Sequence, residues 1–172
     1  MGRVILLVER LAQDTINRLE RAAGMRYDDA VELCSKRRYL GAVYLFGHSV
    51  EMCLAAAFFR AAGFSPNAPI DRDTRQRQMK RARQITTAAG TPVMNTDSHP
   101  LVGWARFLEW QRLASNPTAA EKQTLKEAIK KAEIAYKFWR PELRYKSIDF
   151  TPAQVDQVHK VTSWFVANRA RL

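Results

Sequence analysis

His48 and Glu51 stand three residues apart inside the most apolar stretch of the chain, Tyr39–Ala62. On a helix that spacing puts both side chains on one face and within reach of each other. An imidazole beside a carboxylate can act as an acid or a base, and the carboxylate can anchor a cation or a substrate amine. The same pair can serve structure alone, as a polar link between helices or toward solvent. Either way, an ionisable group on so apolar a surface has to be paired or hydrogen-bonded to be tolerated.

A second group of residues carries charge. Arg72, Arg75, Arg77, Lys80, Arg81 and Arg83 fall within twelve residues, and only Asp71 and Asp73 offset them. The whole chain has 28 Lys and Arg against 17 Asp and Glu, a net charge of +11. Residues 71–90 hold +4 of that excess, with +2 before them and +5 after. Clustered cations bind phosphate backbones by releasing condensed counterions, which points to RNA or a nucleotide. A solvated helix face is the alternative. Lys122, Lys126, Lys130 and Lys137 read as solvation.

Several chemistries are excluded. His48, His99 and His159 have no Cys or His at metal-ligand spacing, so no metal site is expected. No Gly-rich phosphate loop or nucleophile elbow occurs, and no cofactor is implied. Cys34 and Cys53 lie among apolar neighbours and read as free buried thiols, which suits a reducing cytoplasm. Val4–Val8 is too short for a secretory core, and no run is expected to span a membrane. Trp104, Trp110, Trp139 and Trp164 sit at core-like helical positions and read as packing rather than base-stacking platforms.

The elements that must position these residues are all helical. The 172 residues fit one domain, with a basic helix or insertion at 71–90. Apolar residues at three- and four-residue steps predict a helix from Arg3 to Ala23, with Thr15 inward and Gly24 as its stop. A second helix is expected over Asp28–Arg37 and a third, apolar nearly all round, over Tyr39–Ala62. Asp71 or Asp73 can cap a basic helix through Ala89 that is either exposed or partly disordered. Ser98 can cap a helix over Pro100–Ala114. Thr118-x-x-Glu121 and Thr151-Pro-x-Gln154 are capping boxes opening the last two helices. In the first of these, Glu127–Lys131 and Glu133–Lys137 are favourable pairs. No strand pattern appears, so the expected fold is an all-α, up-and-down bundle of about five to seven helices.

The stretch Tyr27-Asp28-Asp29-Ala30, with Leu33, followed by Ala42-x-x-x-x-Gly47-x-x-Val50-Glu51, resembles HEPN domains, the "higher eukaryotes and prokaryotes nucleotide-binding" helical domains. Ser98-His99-Pro100-Leu101 is similar to the start of their middle helix. Trp139-x-x-x-x-Arg144-Tyr145 is similar to an Arg-Tyr segment before their last helix. The resemblance covers roughly residues 27–170. It implies a helical bundle, often a homodimer, acting on RNA or nucleotides in toxin–antitoxin or defence settings, in some cases with a nucleotidyltransferase as partner protein. Ribonuclease members carry an Arg followed by a His after four to six intervening residues. Here positions 41–43, 92–94 and 152–154 would hold it, and none is Arg.

The leading expectation is therefore a non-catalytic HEPN-like domain that binds RNA, nucleotide or a partner protein. The six basic residues from Arg72 to Arg83 would hold phosphate, and His48, Glu51 and Arg144 are candidates for a central pocket. The alternatives are a ribonuclease with a rearranged site built on those three residues, and a protein-interaction subunit with no nucleic-acid role.

Overall fold

The computed structural model describes residues 14–87, 90–94, 99–147 and 149–172. Among them are six α-helices and no strand: α1 (Ile16–Ser35), α2 (Tyr39–Ala61), α3 (Arg72–Arg83), α4 (Leu101–Leu113), α5 (Ala119–Phe138) and α6 (Pro152–Asn168). A 3-10 turn, Pro141–Tyr145, joins the last two. The all-α bundle expected from the apolar periodicity is the fold observed.

α2 is the axis. It packs against α1, α4, α5, α6 and the 3-10 turn. Its buried residues include Val43, Phe46, Ser49, Val50 and the whole run Cys53–Phe59, spread around the helix rather than along one stripe. Among the described residues α2 alone would qualify as a membrane span by length and hydropathy, contrary to the expectation that no run reaches that length. Yet 72% of that stretch is buried inside the bundle, the setting of a core helix.

An interhelical hydrogen bond ties it to α1: Ser49 Oγ donates to the Ala23 carbonyl at 2.8 Å. Thr162 Oγ1 of α6 donates within its own helix to the Val158 carbonyl at 2.9 Å and lies 3.5 Å from the Phe46 carbonyl.

The expected break at Gly24 is absent. α1 runs through that glycine and merges the two short helices predicted from either side of it. A mid-helix glycine costs about 1 kcal/mol relative to alanine, and the burial of Leu19, Ala23 and Ala30 against the core outweighs it. Thr15 is not an inward residue but the N-cap, accepting from the Arg18 amide at 3.2 Å. The predicted residues 3–13 of that first helix lie outside the described residues.

α1 closes on a Schellman turn. The Arg37 amide bonds to the Cys34 carbonyl and the Arg38 amide to the Leu33 carbonyl, each at 2.9 Å. Arg37 takes the left-handed position, φ 56°, that glycine usually fills.

The basic segment is an exposed helix. Asp71 caps it, accepting from the Thr74 amide at 2.7 Å, which also holds its carboxyl below the ordinary range. α3 ends at Arg83, short of the predicted Ala89. The backbone there turns into a short antiparallel contact in which the Val93 amide bonds to the Ile85 carbonyl at 3.0 Å. Ala89 and Ser98 lie outside the described residues. α4 begins at Leu101, with Pro100 as its N-cap and no side-chain cap bond.

Both capping boxes form as expected. Glu127 pairs with Lys131 at 3.1 Å, but Glu133 reaches across to Arg106 of α4 at 3.6 Å rather than to Lys137. Trp104 and Trp139 are buried, whereas Trp110 is 40% exposed, because its position on α4 turns outward beside Leu113.

Candidate functional site

Glu51 sits at the midpoint of α2 with its side chain 12% exposed. A buried carboxylate needs donors, and two imidazoles supply them. His48, one turn earlier, places Nδ1 3.2 Å from Glu51 Oε2. His99, from the loop ahead of α4, makes a short contact through its own Nδ1 to Glu51 Oε1. Each ring thus commits Nδ1 to the carboxylate, and Nε2 is its other nitrogen. The His48 and His99 side chains are 23% and 36% exposed, so the group opens to solvent on the histidine side.

Trp139 walls the group. Its ring meets His48 edge-on at 5.2 Å between centroids and His99 at 5.9 Å. Its indole N–H donates to the Tyr44 carbonyl at 3.1 Å. The ring lies directly on the α2 backbone at Gly47, where a Cβ would stand 2.0 Å from Trp139 Cγ and Cδ1. Gly47 is the residue that lets the indole reach this depth. Tyr44 closes the other side, edge-on to His48 at 4.5 Å.

The electrostatics follow from this packing. Burial alone would raise the Glu51 pKa. Hydrogen bonds with His48 and His99, together with the positive charge those rings carry when protonated, override burial and hold the carboxyl at about 2 rather than 4.5. The Glu51 hydrogen bond raises the His99 pKa, against the effect of partial burial. The Glu51 and Glu142 charges add to the rise, and the Arg75 charge of α3 opposes it. The basic helix and the histidine group therefore feel each other's fields.

The expected pairing of His48 with Glu51 is found. His99 was not among the expected pocket residues, since a contact across 48 positions leaves no mark in spacing. The available signal was the buried carboxylate itself, which has two oxygens to satisfy and only one partner at helical spacing. Arg144 lies on the 3-10 turn, which packs against α2. Its side chain is outside the described residues. His159 is elsewhere: Nε2 bonds to the Tyr27 hydroxyl at 2.9 Å and the ring stacks on Phe46. Among the described residues no cluster of His, Cys, Asp and Glu could hold a metal ion.

On α3, Met79 and Ala82 face the core, and Trp104 donates its indole N–H to Met79 Sδ at 3.2 Å. Arg72, Arg77, Lys80 and Arg81 are exposed. Arg75 is half-buried and lies 3.5 Å from Asp14, and Arg77 donates to Thr74 Oγ1 at 3.0 Å. Arg83 is also half-buried.

Compared with family models, with curated proteins and with solved structures, the chain matches none.

Proposed function

We propose that this protein is a HEPN-like helical domain that binds RNA or a nucleotide, with α3 as its phosphate-holding surface. The observation that supports it most is the distribution of charge on α3. Only Met79 and Ala82 are buried, while Arg72, Arg77, Lys80 and Arg81 point away from the bundle. None of those four takes part in an ion pair among the described residues. Exposed cations along one helix, none of them in an ion pair, are what a phosphate chain requires. The test is RNA binding by the variant carrying Gln at all four positions. On a single strand, each phosphate contact contributes about 0.7 to the slope of log K against log salt. Loss of four contacts should therefore flatten the slope by roughly 3 and weaken binding at low salt. Unchanged affinity and slope would exclude α3. The homodimer that accompanies this reading is tested by light scattering on the purified protein.

A second reading, RNA cleavage, is favoured by His99 joining His48 on Glu51. In that reading the neutral His48 Nε2 takes the proton of a ribose 2′-hydroxyl, whose oxygen attacks the adjacent phosphorus. The protonated His99 gives its proton to the departing 5′-oxygen, leaving a 2′,3′-cyclic phosphate and a 5′-hydroxyl. Glu51 orients both rings. Incubation with tRNA and mRNA decides it: cyclic-phosphate ends lost in both His48→Ala and His99→Ala support it, and uncut RNA removes it.

A further inference from the structure

The turn between α1 and α2 forms one edge of a cleft of about 510 Å³, walled on the far side by the chain around the 3-10 turn and Phe150. That volume falls in the range of small-molecule sites and suits one nucleotide rather than a strand passing through. Its lining is specific in kind. Arg37 and Arg38, neighbours in sequence, are both exposed and both line it. Tyr39, Tyr44 and Phe150 supply aromatic surface, and Asp149 supplies one acceptor. Among the described residues no ion pair engages Arg37, Arg38 or Asp149, so the charges are uncommitted.

Arg37 is the telling position. Its left-handed backbone is one where glycine is cheaper, so replacing it by Gly removes the cation at the cleft edge without a conformational cost. The first amides of α2, which no side chain caps, add donors at the same edge. The arginines and the cavity define the site.

We infer that this cleft binds a nucleoside monophosphate, with the phosphate on Arg37 and Arg38 and the base against the aromatic wall. Guanidinium pairs match phosphate oxygens in fixed geometry. A base gains from stacking on any of the three rings. Asp149 accepts from a ribose hydroxyl or an exocyclic amine. Tyr44 connects the cleft to the histidine group, since it lines the first and meets His48 edge-on. The ligand is either a free mononucleotide or the 5′-phosphorylated end of a strand, which share this chemistry. The inference does not depend on α3.

Calorimetric titration of the full chain tests it with 5′-AMP, adenosine and inorganic phosphate. 5′-AMP should bind saturably, with adenosine and phosphate each at least tenfold weaker. Arg37→Gly with Arg38→Gln should weaken 5′-AMP at least tenfold, while Lys122→Gln with Lys126→Gln, exposed on α5 and outside the cleft, stays within about twofold. Arg37→Gly alone should raise the melting temperature, so its loss of affinity cannot be assigned to unfolding. A 5′-phosphorylated oligonucleotide binding more tightly than both 5′-AMP and its 5′-hydroxyl counterpart would uphold the site with a strand end as its source. 5′-AMP matching or exceeding the phosphorylated oligonucleotide would uphold it with the free nucleotide. No 5′-AMP binding at millimolar concentration, wild-type binding by the Arg37/Arg38 variant, or an equal loss in the Lys122/Lys126 variant would overturn it.

Discussion

Replacing Glu51 by Gln keeps the shape of the side chain and removes its charge from between two imidazoles. The carboxyl is held at about 2 in the folded protein against an ordinary 4.5. The side chain is only 12% exposed, so solvent screens this difference little. It corresponds to roughly 3 kcal/mol of folding stability. Because the folded pKa is depressed, that stability is present above about 4.5 and is lost as pH falls from there toward 2. His99 has the opposite sign. Its pKa is raised, so its share is complete below the ordinary value of 6.5 and is lost as pH rises through the higher folded value. The penalty of Glu51→Gln should therefore peak between about pH 4.5 and 6.5 and shrink on both sides. For a domain of this size 1 kcal/mol moves the midpoint by about 2–4 °C, so the expected drop near pH 5.5 is roughly 6–12 °C. Circular dichroism melts of both proteins at pH 3, 5.5 and 8 measure it. A gap of equal size at all three, or none at pH 5.5, would refute the reasoning that Glu51 is ionised beside a protonated His99.

Gly47→Ala should destabilise the fold by about 2–4 kcal/mol, the cost of displacing a buried tryptophan less the helix-propensity gain, because its Cβ would overlap the Trp139 ring. In a Trp139→Ala background the same change should be neutral or slightly stabilising, and a penalty of full size there would show that the overlap is not the cause. The thiols should differ in reactivity. Burial pushes Cys53 up to about 12, and Cys34, half-buried, is raised less strongly. One equivalent of thiol should therefore react with a disulfide reagent in the native protein and a second only in denaturant, whereas rapid release of two native equivalents would contradict the packing of α2.

The central helix was readable because a run that is apolar around its whole circumference has only one place to go in a small bundle. The capping boxes at Thr118 and Thr151 were readable because they are local, with both partners within three residues. Gly24 misled because propensity acts in single kilocalories and the packing of Ala23 and Ala30 acts against it. Trp110 misled because aromatic size says nothing about which side of α4 faces inward. Half of the histidine group was legible: Glu51 demanded a partner, and His48 stood at helical distance. The other half, His99, is brought in by chain reversal, and so is the cleft, whose arginines and Phe150 lie over a hundred positions apart.

α3 differs from every other helix in how little of it is anchored. It packs extensively on none of the other helices, and its inward stripe is Met79 and Ala82. Burial of that stripe is worth roughly 2–4 kcal/mol, below the 5–15 kcal/mol typical of a whole domain. Of the helices described, α3 is therefore the one whose release from the bundle would cost least. His48 and Glu51 thus belong to the helix with the most neighbours, whereas the basic helix is held by two buried side chains and the Arg75–Asp14 pair. A polyanion of irregular shape would be met first by the part that can yield to it.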